Sequence, residues 1–135
     1  MATKTGNASA NALTGTTHTD ILNGMGGNNT LKGLAGDDSL NGGTGNDLLD
    51  SGGGSNDTVD GGAGVDTITF ASWSTGVNVN LYSTYSQYIG QTGDIYNYLT
   101  LLNVENVIGG TGADTLYGSE GANRMEGRNG NDSLS

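Results

Sequence analysis

GLAGDDSLN (33–41) runs straight into GGTGNDLLD (42–50), and both strings follow one template: Gly at places one and four, Asp at six, Leu at eight. Working back by nines gives GMGGNNTLK (24–32), GTTHTDILN (15–23) and GNASANALT (6–14). Working forward, Ser51 is one extra residue, and the frame resumes as GGGSNDTVD (52–60) and GGAGVDTIT (61–69). After an interruption it returns as GGTGADTLY (109–117), GSEGANRME (118–126) and GRNGNDSLS (127–135). A fixed period makes each unit one module that buries its apolar side only by stacking on its neighbours.

Place eight is Leu13, Leu22, Leu31, Leu40, Leu49, Val59, Ile68, Leu116, Met125 and Leu134, each aliphatic or Met. Its flanks are mostly polar, which describes a very short strand with one inward side chain. Recurrent Gly excludes a helix, and nine-residue spacing does not gather the aliphatics onto one helical face. Two units make one coil of about 18 residues, and successive coils stack ~4.8 Å apart in two parallel sheets. The expected fold is all-β: a right-handed parallel β-roll, a solenoid of stacked nine-residue repeats. A flexible Gly-rich linker has no reason to keep an aliphatic at every ninth place.

Bulk composition sharpens the problem this fold must solve. The 135 residues include 26 Gly, no Pro and no Cys, and 14 acids face four bases for a net charge of −10. A chain so poor in apolar residues and so one-sided in charge stays disordered unless something cationic neutralises it. Nucleic acid is excluded as a partner, since no basic patch exists to meet phosphates. No stretch is long and apolar enough to span a bilayer, and residues 1–5 read as an N-terminal extension without a signal-peptide core. The chain reads as one module of something larger, with parent-protein domains and any export signal outside it.

Place six holds Asp20, Asp38, Asp47, Asp57, Asp66, Asp114 and Asp132, with Asn11, Asn29 and Asn123 as substitutes. In a coil of two units, Asp38 faces Asp57 on one edge and Asp47 faces Asp66 on the other. Carboxylates stacked so closely repel unless a cation lies between them. Oxygen donors of this kind, with turn carbonyls beside them, suit Ca²⁺ better than Mg²⁺. Merely solvating the surface would explain the charge but not its register.

The template GGxGxDxUx, unbroken in GGTGNDLLD, GGAGVDTIT and GGTGADTLY, resembles the RTX (repeats-in-toxin, haemolysin-type) calcium-binding repeat. The resemblance implies that each ion sits between two turns of one edge. The earlier turn gives carbonyls from places two and four, the later turn carbonyls from places one and three, and each adds its Asp. Three sites are then implied: Gly43, Gly45 and Asp47 with Gly61, Ala63 and Asp66; Gly110, Gly112 and Asp114 with Gly127, Asn129 and Asp132; and Leu34, Gly36 and Asp38 with Gly52, Gly54 and Asp57. The Ser51 insertion and Ser55, which stands where Gly is usual, disturb the third. Weaker pairings raise the implied total to as many as six. They join Thr16, His18 and Asp20 to Gly33, Ala35 and Asp38, and Met25, Gly27 and Asn29 to Gly42, Thr44 and Asp47. Glu105, which falls at place six, could pair with Asn123.

The organisation expected is therefore a first block of seven nonads (6–69), an interrupting segment (70–108) and a second block of three nonads (109–135). Within the interruption, Gly76–Leu81 alternates as a half-buried strand, and LLNVENVIG (101–109) leads back into the repeat. Phe70, Trp73 and the tyrosines Tyr82, Tyr85, Tyr88, Tyr96 and Tyr98 read either as apolar cover for a thin roll or as platforms for sugar rings. One His, no Cys and no G-x-S-x-G elbow leave no catalytic constellation, so no enzyme is expected. The resemblance implies a calcium-dependent folding module of a secreted bacterial protein, exported by type I secretion. The rival reading is an accessory module that binds an extracellular polysaccharide or mediates adhesion.

Overall fold

The structure is a computed structural model that describes residues 1–54, 56–90 and 97–135; Ser55 and Tyr96 lie outside the described residues. It contains strands and no helix among those residues. One parallel stack joins β1 (Ala2–Asn7), β3 (Asp20–Met25), β5 (Ser39–Thr44), β7 (Asn56–Ala63) and β11 (Tyr98–Leu102). The facing stack joins β2 (Ala12–Thr14), β4 (Thr30–Lys32), β6 (Leu48–Asp50), β8 (Thr67–Thr69), β12 (Asn106–Ile108) and β14 (Met125–Glu126). A third, three-stranded sheet joins β9 (Asn78–Asn80), β13 (Thr115–Tyr117) and β15 (Ser133–Leu134). This is the parallel β-roll that the period predicts.

Register follows the repeat. Leu13 pairs with Leu31, Leu31 with Leu49 and Leu49 with Ile68, while Leu22 pairs with Leu40 and Leu40 with Val59. Leu22, Leu31, Leu49, Val59, Ile68, Val107 and Leu116 have no exposed surface at all, because each is roofed and floored by its counterparts one coil away. The flanking places point outward, as Leu48 does at 37% exposure.

Three features depart from the expected frame. Residues 2–5, read as an extension ahead of the repeat, form most of β1, with Lys4 paired to Leu22 in a place-eight position. The Lys4 ammonium donates to the Thr14 carbonyl instead of entering the apolar row. Second, Ser51 is not the extra residue in space: the Gly33 N–H bonds Asp50 O, Leu34 O accepts from Gly53 N, and Ala35 bridges Gly53. Ser51 therefore stands at place one, level with Gly33.

Third, the interruption contributes rungs of its own. Leu101 pairs with Val59, and Val79 with Leu116, so both hold place-eight positions. Place six in these two rungs is Leu99 and Val77, both buried, where the repeats carry an acid. Tyr-rich β10 (Gln87–Tyr88) turns back antiparallel on β11. The Asn78 N–H then bonds the Ile89 carbonyl, which carries the order on to β9. Phe70 and Trp73 pack edge to face, centroids 5.4 Å apart, and close the core beside them.

Truncating one rung should be felt in full, because its neighbours cannot collapse onto the hole. Leu49→Ala is expected to destabilise the folded, metal-loaded protein by about 2–5 kcal/mol, whereas the outward Leu48→Ala stays within about 0.5 kcal/mol. Denaturant unfolding of the two variants checks this.

Candidate metal centres

A turn in this roll has a division of labour among its glycines. Places two and four take left-handed backbone: Gly43, Gly52 and Gly62 at place two have φ of 101°, 78° and 95°, and Gly45 and Gly64 at place four have 128° and 148°. Met25, Leu34 and Arg128 adopt the same conformation at place two, which strains a side chain that Gly would omit. Place-one glycines are not left-handed. They are needed for room, since a Cβ on Gly33 would lie 2.5 Å from Asp38 Oδ2 and collide with the Ser51 carbonyl. Gly42 meets Asp47 Oδ2 and Gly61 O in the same way.

The place-six side chains form a ladder. Asp20 N–H donates to Asp38 Oδ1 (2.8 Å), Asp38 N–H to Asp57 Oδ1 (2.9 Å) and Asp47 N–H to Asp66 Oδ1 (2.7 Å). In the second block, Asp114 N–H donates to Asp132 Oδ1 (2.9 Å). Apart from Asp132, which is half-buried, these carboxylates are at most 4% exposed. One oxygen of each is thus committed to the neighbouring coil.

What happens to the second oxygen distinguishes one gap from the next. Asp38 Oδ2, Asp47 Oδ2 and Asp66 Oδ2 are buried without any hydrogen-bond partner. An orphaned buried carboxylate oxygen carries a large desolvation cost. Around Asp47 Oδ2, the Gly61 carbonyl points back toward Gly42 and the Gly43 and Gly45 carbonyls point forward at Gly62 and Gly64. Ala63 O accepts from Gly45 N at 2.8 Å in the same gap. Around Asp38 Oδ2, the Leu34 and Gly36 carbonyls face Gly52 and Gly54. Ser51 and Gly53 hold places one and three here, so the roles expected of Gly52 and Gly54 fall one residue earlier.

Elsewhere the second polar atom of the place-six side chain already has hydrogen-bond partners. Asn29 Oδ1 accepts the Asn11 N–H, and its amide nitrogen bonds Gly27 O (2.9 Å) and Gly42 O (3.1 Å). Those carbonyls belong to the set expected around an ion, so the amide supplies internally the positive end that a cation would. Asn123 does likewise, donating to Glu105 O (2.7 Å) and Ser119 Oγ and accepting from Ser119 N–H. Asp20 Oδ2 is met by the Thr16 amide and hydroxyl, and Asp114 Oδ2 by Gly110 N–H (2.8 Å), although Gly127 O lies across that gap. His18 N–H bonds Thr16 Oγ1, and its carbonyl faces Gly36. No group of three or more His, Cys, Asp or Glu side chains gathers among the described residues. An ion here would rest on two carboxylates and backbone carbonyls, a donor set of hard oxygens that fits calcium.

Electrostatics record the same strain. Burial pushes the Asp57 carboxyl up to about 7 and Asp66 up to about 6, with repulsion from Asp38 and Asp47 adding to each. Burial also raises Asp38 and Asp114. At Asp20, burial raises and hydrogen bonds from Thr16 and Ala2 outweigh it, leaving the group lowered.

The RTX calcium-binding nonapeptide repeat model matches the chain in four copies, over residues 14–49, 51–70 and 103–134, well over half its length. Among curated proteins, none matches the chain.

The raised carboxyls fix the sign of a pH effect. Between the unfolded value near 3.8 and the folded values of about 6 and 7, the folded chain holds more protons than the unfolded one. Metal-free protein should therefore lose β structure as pH rises through that window. Calcium midpoints, followed by circular dichroism, should fall over the same range as protons stop competing.

Proposed function

The chain belongs to the RTX calcium-binding nonapeptide repeat family, and from that premise we propose that it is a module of a secreted bacterial protein that folds when calcium binds. One observation carries the reading: unpartnered, buried Asp38 Oδ2 and Asp47 Oδ2, each facing turn carbonyls across a gap. Calcium fills the gaps of Asp38 with Asp57, Asp47 with Asp66, and Asp114 with Asp132. The Asn29 amide closes its own gap and needs no ion. In calcium-poor cytosol the ladder repels itself and the chain stays threadable, which suits type I secretion. Outside, ions that bind only the coiled state stabilise it by mass action. The repeats are a structural calcium-binding module, and the chain acts by folding and holding, with catalysis left to parent-protein domains beyond it.

Circular dichroism across a calcium titration, with magnesium as control, tests this. Coil is expected in chelator, with a cooperative gain of β signal in calcium and little in magnesium. The double change Asp47→Ala and Asp66→Ala should move the midpoint upward. An equally folded chain in chelator overturns the reading.

A second reading is favoured by the side chains beside β9. Tyr82 and Tyr85 are 65% and 81% exposed, and with Asn80, Ser83 and Thr84 they line a shallow hollow. Phe70 and Trp73 are buried and serve as packing, whereas these tyrosines stand largely in solvent. Flat rings beside amide and hydroxyl groups suit a sugar chain. Polysaccharide titration in saturating calcium should give binding that Tyr82→Ala with Tyr85→Ala weakens at least tenfold; negligible binding by the unaltered chain removes this role.

A further inference from the structure

The seam between the first block and the segment that follows it contains a place-six acid that no nonad supplies. β12 lies on β8, with Thr67 level with Asn106 and Ile68 with Val107, so Glu105 is level with Asp66. The connection there is short: β11 ends at Leu102, and only Asn103, Val104 and Glu105 separate it from β12. A turn so abbreviated has lost the Gly places of the repeat.

Its chemistry nonetheless reproduces that of a repeat gap. Asp66 N–H donates to Glu105 Oε2 at 2.8 Å, as Asp47 N–H does to Asp66 Oδ1 at 2.7 Å. Asp66 is fully buried and its Oδ2 has no hydrogen-bond partner. That oxygen lies 2.6 Å from where a Cβ on Gly61 would stand, and the Asn103 carbonyl oxygen crowds the same point. Asn103 thus takes the part that Gly61 O plays beside Asp47. Its left-handed backbone (φ 51°) turns the carbonyl, and its amide anchors the turn by donating to Asp60 Oδ1 at 2.8 Å. The longer Glu side chain spans what the missing residues leave open. Among the described residues no salt bridge from a base reaches Asp66 or Glu105.

We propose that the seam is a further calcium site, held by the Asp66 and Glu105 carboxylates and the Asn103 carbonyl, that ties the first repeat block to the segment leading into the second. It rests on the calcium reading above, but not on any nonad-to-nonad pairing. Asn123 closes the far side of Glu105 with amide hydrogen bonds, so Glu105 is directed to Asp66 and not to Asn123.

Calcium bound per full-length chain, counted by equilibrium dialysis at a free concentration that just saturates the unaltered protein, tests the site. Glu105→Gln keeps an oxygen for the Asp66 N–H and should keep the β spectrum, yet bind one ion fewer. An equal count overturns the seam site and leaves the wider reading standing, because that reading is decided separately by folding in calcium against chelator. Diffraction from the calcium-loaded, unaltered chain is a second measurement that does not depend on any variant folding. Ion density touching Asp66 Oδ2 and Asn103 O is expected; water or empty space there overturns the proposal.

Discussion

One contact sets the terms for the whole molecule: a buried carboxylate whose first oxygen accepts a backbone N–H from the coil before it and whose second has nowhere to go. The accepted bond locks each turn to the next in register, and it is charge-assisted, hence stronger than an ordinary amide bond. The same burial brings acids together in a low-dielectric column. A core that offers one aliphatic side chain per nine residues has little apolar burial to set against that repulsion and against the ordering of so much glycine. Cohesion and instability come from the same atoms. A divalent ion resolves the conflict because it meets the free oxygen, the facing carboxylate and the unsatisfied lone pairs of turn carbonyls at once.

Asp and Asn at place six are consequently not interchangeable. At Asp38, Asp47 and Asp66 the carboxylate leaves a buried oxygen that no hydrogen-bond donor meets, a place suited to a cation. An Asn presents N–H groups to the turn carbonyls, as Asn29 does toward Gly27 and Gly42. The amide is a weaker clamp but a permanent one. A stack that mixes the two alternates gaps that respond to calcium with gaps already shut. Such a chain can retain local order near its Asn rungs while its Asp rungs remain open.

Much of this was legible in the sequence because the period is written in the turns. Gly, Asp and the aliphatic at place eight recur together, so the strand register, the buried row and the pairing of place-six residues could all be read by counting. Counting failed where the turn chemistry changed while the rung persisted. Leu101 and Val79 are rungs, yet neither follows a Gly-rich turn, and the frame was blind to them. It also misplaced the insertion at Ser51. A serine at place one can stack on Gly33 as well as a glycine can. The first five residues lacked any apolar signal, and Lys4 holds a rung position by sending its charge to the Thr14 carbonyl. Exposure of the tyrosines had no sequence signal, since aromatic rings serve packing and recognition alike.

Leu99 and Val77 show why the interruption belongs to the design. At both, the place-six acid is replaced by a buried aliphatic, so the rung keeps its shape while losing the repulsion and, with it, the need for an ion. Phe70, Trp73, Leu81, Ile89 and Val104 are buried in the same stretch, which makes it the one region of the roll where apolar packing is dense instead of single-file. On the calcium reading proposed above, the ends of the stack are held by metal and the middle by hydrophobic contact. Glu105 stands where those two regimes meet: an acid returns to place six on the rung after Leu99, directly against the last Asp of the first block. On that same proposed reading, this apolar packing gives the flanking turns a surface on which to wind as ions bind.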